Sequence, residues 1–146
     1  MSPFEVPWGR AGQLQATMTV TRLLSQLVEQ GFLDGAPGTL ADQLVTNVWA
    51  RKPDLFEGKI GPKPHKVSVA AIALASATHR AAQRCDDTLC STYMLGLSLL
   101  LDEIGRTARS YRFHTVDHQL LDAAATMLSG NLDDLQRDPL LHWHGL

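Results

Sequence analysis

"VSVAAIALASATHRAAQRCDDTLCSTYMLGLSLLLDEIGRTAR", residues 67–109, is the stretch on which the fold turns. Read as one helix, it is a rod of about 64 Å at 1.5 Å per residue. The rest of a 146-residue chain is too short to cover such a rod, so an unbroken helix would demand a second chain. The alternative is a break at "CDDT". Asp86 and Asp87 both suit an N-cap, because a short side-chain oxygen there accepts from the first free N–H groups of a new helix. A short turn then gives an antiparallel pair. The sequence is read that way, with helices over 67–85 and 88–109.

The two halves differ in kind. Residues 67–85 are alanine-rich and strongly helix-forming, and their small side chains let a neighbour approach closely. Residues 88–109 are apolar over most of the circumference, which points to a central, heavily buried helix. Ser91, Ser98, Asp102, Arg106 and Arg109 form its polar line.

Outward from this pair the helical period persists. Leu14, Met18, Leu24, Leu27 and Val28 recur at threes and fours within 11–30, and Leu23 widens the stripe. Gly31 supplies a stop, since glycine accepts the left-handed conformation found at helix ends. Thr39 is placed to cap a helix over 39–52, with Asp42 three residues on and Leu40, Leu44 and Val48 as its buried line. Pro53 ends it. A last helix covers 116–129, with Val116, Leu120, Ala123, Ala124, Met127 and Leu128 buried and Gly130 following. The reading is an all-α, single-domain bundle of about five helices over residues 1–146. It has a long irregular connection at 53–66 and a short C-terminal tail.

Composition narrows the function classes. An apolar share of 45% fits a folded core, and a net charge of −2 gives no general affinity for nucleic acid or anionic membrane. The start, "MSPFEVPWGRAG", lacks the basic and apolar regions of a secretory signal. The most apolar run, Tyr93 to Leu101, is far short of the ~20 residues that cross a bilayer. A soluble, cytoplasmic protein is expected. Cys85 and Cys90 are too few for a disulfide framework or a structural zinc site and read as two small thiols. G-x-S-x-G, P-loop and G-x-G-x-x-G patterns are absent, so no cofactor is expected.

"HTVDHQLLD", 114–122, brings His114, Asp117, His118 and Asp122 to offsets of three and four, a spacing that could hold zinc. Thr115 is the natural N-cap of the helix that follows, which leaves His114 outside it. Asp117 then suits the positive end of the helix dipole. His118 and Asp122 lie opposite the Val116–Leu120–Ala124 line and so face solvent. A metal-dependent enzyme built on His114, His118 and Asp122, with His142 or His144 from the tail, is the catalytic alternative. Asp102 and Glu103 point about 100° apart on a helix and do not form an acid–base couple; Asp102 pairs instead with Arg106 at i,i+4.

Charge is unevenly placed. All four lysines, Lys52, Lys59, Lys63 and Lys66, fall in or beside the irregular connection, next to Arg51 and His65, against only Asp54 and Glu57. Phe56 to Ile60 could form a small hairpin there. Connections longer than about 12 residues are often functional. In the tail, Leu140, Leu141 and Trp143 are costly to leave in water and suit docking on the bundle or on a partner. These features point to a non-enzymatic protein-binding module, an adaptor, inhibitor or regulatory subunit. Its contacts would come from Lys59, Lys63, Lys66, Leu140, Leu141 and Trp143, and a homodimer is one form the association could take.

"TVTRLLSQLVEQGFLDG", 19–35, resembles the recognition helix of MarR-type winged-helix regulators, in which T-x-x-L-x-x-L-x-x-x-G-x-[LI] precedes the wing. The resemblance implies a DNA-binding regulator with Thr19, Thr21 and Arg22 facing the major groove. It covers about a tenth of the chain by length, with too few residues before it for a supporting helix. A turn and another helix follow in place of a basic wing.

Overall fold

The structure, a computed structural model, describes residues 8–51, 64–84 and 89–128. They form five helices: α1 Trp8–Glu29, α2 Pro37–Arg51, α3 Lys66–Arg84, α4 Leu89–Ala108 and α5 Thr115–Leu128. No strand occurs among the described residues, so the chain is an all-α bundle. Each helix begins and ends within three residues of the bounds read from sequence. The stretch 67–109 is two helices, and α3 and α4 pack against each other.

The centre of the bundle is α3, which touches all four other helices. Every residue from Val67 to His79 is buried, so more than three turns have no wet side. Alanine makes this possible. Ala70, Ala71, Ala73, Ala75 and Ala77 fill the helix surface with methyl groups, and neighbours on several sides can approach its backbone. Of the buried polar groups on α3, Ser76 donates to the carbonyl of Ile72 at 2.9 Å, and His79 hydrogen-bonds Tyr93 of α4 and, at 3.0 Å, Gln83, whereas Thr78 Oγ1 has no hydrogen-bond partner.

The apolar α4 is not the central helix that its composition suggested. It lies at the edge, with Met94 62% and Leu101 57% exposed. Among its described side chains only the sector through Thr92, Tyr93, Gly96 and Leu100 is buried. At Gly96 it comes into close contact with α3 and α5. A Cβ there would lie 2.6 Å from Thr78 Oγ1 and 2.8 Å from both Thr78 Cγ2 and Leu128 Cδ2. The small side chains of α3 let its neighbours approach more closely than the large ones of α4 would.

A second correction concerns α1. Leu14 and Met18 are 59% and 74% exposed, and the buried line runs instead through Ala16, Val20, Leu23, Leu24 and Leu27. Two residues along a helix is a rotation of about 200°, so choosing Leu14 over the smaller Ala16 selects the opposite face. On α5, Val116 is half-buried, whereas Leu120, Ala123, Ala124, Met127 and Leu128 are buried as read.

Helix ends explain the chain's turns. α1 closes with a Schellman motif: Gly31 has φ +81°, Phe32 N–H donates to the Leu27 carbonyl at 2.9 Å, and Gly31 N–H to that of Val28 at 3.0 Å. α2 starts two residues before the expected Thr39. Pro37 takes the first helical position, where its missing N–H costs nothing, and the Ala36 carbonyl accepts from Leu40 N–H at 3.2 Å. None of the described helices is long and apolar enough to cross a membrane.

Candidate functional site: a buried aspartate and an arginine-lined groove

α3 and α5 begin side by side, and one carboxylate serves both ends. Asp117 is completely buried. The α5 cap is His114, not Thr115: the His114 carbonyl accepts the first helical bond, from His118 N–H at 3.1 Å. Asp117 occupies the third helical position and reaches back, its Oδ2 accepting from His114 N–H at 3.0 Å. That is the carboxylate half of a capping box. Its other oxygen crosses to α3. There Oδ1 accepts from His65 N–H and from the Ser68 hydroxyl, each at 2.6 Å.

His65 caps α3 in the same manner. Its carbonyl accepts from Ser68 N–H at 3.0 Å and Val69 N–H at 3.3 Å, and its Nδ1 accepts from Val67 N–H at 3.1 Å. An Nδ1 that accepts carries no proton, so the imidazole is the neutral Nε2–H tautomer. Burial pushes the His65 pKa below its ordinary value; Asp117 pulls it upward, and Lys66 adds to the lowering. Two helix N-termini, each with a partial positive charge, thus share one buried anion.

Above this junction the link from α4 to α5, residues 109–114, is paved with rings. His65 meets Tyr111 at a tilt of 38° with 4.1 Å between centroids, Tyr111 meets Phe113 edge-on at 5.4 Å, and Phe113 meets His118 edge-on at 6.1 Å. The Tyr111 hydroxyl stands 3.5 Å from Asp117 Oδ2, and burial together with that carboxylate raises its pKa, keeping it a donor. The rings of Tyr111, Phe113 and His118 line an open groove of about 690 Å³, together with Ala108, Arg109, Ser110 and Arg112. Arg109, Arg112 and His118 are exposed, and among the described residues neither arginine is in an ion pair. The lining holds no acidic side chain.

His114, His118 and Asp122 are all exposed, and no group of three or more His, Cys, Asp or Glu is placed to hold a metal ion among the described residues. His118 belongs to the groove, where its ring is part of the lining. Asp102 does pair with Arg106, at 3.5 Å, but Glu103 holds Arg106 more closely at 2.8 Å and also binds Arg22 of α1. Of the residues that the winged-helix resemblance singles out, Arg22 is therefore engaged. The Thr19 and Thr21 hydroxyls donate to carbonyls one turn back, at 3.1 and 2.7 Å.

Lys66 opens α3 and is half-exposed, beside His65. Lys52, Lys59, Lys63, the Phe56–Ile60 segment, Cys85, Leu140, Leu141, His142, Trp143 and His144 lie outside the described residues.

Sequence reading weighs Asp117 within the histidine–aspartate cluster and notes His65 beside the lysines, but gives neither a role at a shared cap, and it does not single out Tyr111, Phe113 or Arg112. A pattern was nevertheless present. "HKVS", 65–68, and "HTVD", 114–117, are parallel tetrads, each with histidine at the cap and a polar side chain three residues on that turns back. No protein-family model, no curated protein and no solved structure matches this chain.

Proposed function

We propose that this chain is a non-enzymatic, cytoplasmic protein-binding module that takes an acidic segment of another protein, bearing an aromatic or aliphatic side chain, into the Arg109–His118 groove. The observation that carries the reading is the pairing of two uncompensated guanidiniums, Arg109 and Arg112, with a lining of aromatic rings. Guanidinium groups bind carboxylates with two parallel hydrogen bonds, and aromatic rings take up an apolar side chain between them. Lys66 at the α3 start adds positive charge nearby, and Lys59 and Lys63 belong to the segment that leads into it. A regulatory or adaptor role suits a surface that recognises without converting.

The test is a titration of the full chain with a glutamate-rich peptide carrying one tyrosine, followed by NMR. Shifts are expected at Tyr111, Phe113 and His118, with an affinity that weakens as salt is raised. Arg109→Glu with Arg112→Glu should lower affinity at least tenfold, about 1.4 kcal/mol or more. Shifts centred elsewhere, or an affinity indifferent to the double reversal, would overturn the proposal.

A further inference from the structure

The outer side of α4 carries an apolar stripe at alternating spacings of three and four: Met94, Leu97, Leu101, Ile104 and Ala108. Met94, Leu101 and Ala108 are exposed, Leu97 and Ile104 only partly covered. Such a stripe in a helix usually meets another element. It does not face α1. Glu103, which binds Arg22 of α1, sits about 140° round the helix from the centre of the stripe at 3.6 residues per turn.

The end of α5 indicates what covers it. Leu128 lies against Gly96, so the chain leaves α5 at the height of the start of the stripe, about 120° round α4 from the stripe's centre. Eighteen residues follow, 129–146, and they include Leu132, Leu135, Leu140, Leu141, Trp143 and Leu146. The stripe is about 21 Å long at 1.5 Å per helical residue. Trp143 lies fifteen residues beyond Leu128, a chain length that spans up to about 50 Å when extended. We infer that residues 130–146 of this same chain dock on the α4 stripe, with Trp143 among the anchoring side chains. Tethering favours this occupant over a second copy, because the tail is present at a high effective concentration that dilution does not change.

The experiment uses the full chain labelled with 5-fluorotryptophan. Three ¹⁹F resonances arise from its three tryptophans, and the one lost in Trp143→Phe is assigned to Trp143. Its shift between H2O and D2O is expected to be small in the parent chain and to rise to the denatured-chain value in Leu101→Glu. Met18→Glu, on the exposed side of α1, should leave it unchanged. Leu101 is already largely exposed, so the helicity should survive; Met94→Glu provides a second break in the same stripe. A Trp143 resonance with the full solvent shift in the parent would overturn the inference. So would protection that both stripe variants leave intact, or protection that disappears on dilution together with a halving of the mass by light scattering, which would assign the stripe to a second copy.

Discussion

Asp117→Asn tests the junction most directly, because it changes one oxygen to an NH2 group and keeps the shape. Both carboxylate oxygens face backbone donors that cannot turn away, His65 N–H at Oδ1 and His114 N–H at Oδ2. The hydroxyls of Ser68 and Tyr111 can rotate to accept from an amide; the two N–H groups cannot. An asparagine therefore satisfies one helix cap and points a donor at the other. The lost charge-assisted bond is worth about 1.5–3 kcal/mol, and the stranded N–H adds to this. Removal of a negative charge from two helix N-termini costs roughly 0.3–1 kcal/mol at each. Against these stands the relief of no longer burying a charge. Since the backbone donors remain in place, the net expectation is a loss of about 2–4 kcal/mol. For a chain of this size each kcal/mol lowers Tm by about 2–4 °C, so the midpoint should fall by roughly 5–15 °C. Urea unfolding followed by far-UV circular dichroism and by tryptophan emission gives the free energy, and coincident curves justify a two-state fit. Asp122→Asn, on the exposed side of the same helix, should change stability by less than about 0.5 kcal/mol. If Asp117→Asn were equally silent, relief of the buried charge would outweigh both caps, and the account of Asp117 as the junction's organising anion would fail.

Acidification should act through His65. Its folded pKa is below the 6.5 of the free side chain, so between the two values the unfolded chain binds more protons than the folded one. Stability is then fully present above about pH 6.5, falls as pH drops through the window down to the folded pKa, and levels off below it. His65→Asn, a good cap with no titration, should flatten that part of a stability-against-pH curve; an unchanged slope would place the effect elsewhere. Gly96→Ala should destabilise by about 1–3 kcal/mol despite alanine's better helix propensity, because the new methyl overlaps Thr78 and Leu128. Thr78 Oγ1 is buried and has no hydrogen-bond partner, so Thr78→Ala alone should cost little, and the double variant should recover part of the Gly96→Ala loss in thermal melts. Ala73→Leu on α3 should cost about 1–3 kcal/mol or more by overpacking, and Ala108→Leu on exposed α4 almost nothing. Equal costs in a denaturant series would contradict the central position of α3.

Period made the number of helices legible, and Gly31 marked the end of α1 because it acts locally on the backbone. The depth of each helix was not legible. Hydrophobicity ranks α4 above α3, but burial in a bundle goes to the element that others can approach most closely, and that is a property of side-chain size around the whole circumference. Ala16 against Leu14 is the same error in miniature. At the site, sequence placed His118 and Asp122 on the wet face but took Asp117 for an ordinary first-turn carboxylate. The dipole argument for it was sound in sign. What it lacked was the second helix end, 52 residues earlier in the chain, that makes the same carboxylate a shared cap. Contacts across such a separation leave no local mark beyond the recurrence of His-x-x-polar at two helix starts.

The distribution of acids explains how a chain with a net charge of −2 keeps a cationic groove. Asp117, the acid nearest the groove, is turned inward, with both oxygens occupied by donors. Asp102 and Glu103, one to two turns back along α4, are occupied with Arg106 and Arg22. Arg109 and Arg112 follow directly after these pairs and are left without a carboxylate of their own among the described residues. The surplus is therefore local, and a short acidic segment can approach the groove. The same carboxylate that caps α3 and α5 also fixes His114, at the end of the loop that carries both arginines and both aromatic rings. Rigidity at the junction and recognition in the groove thus draw on one residue, which places the most costly buried charge in the described bundle where it orders the surface beside it.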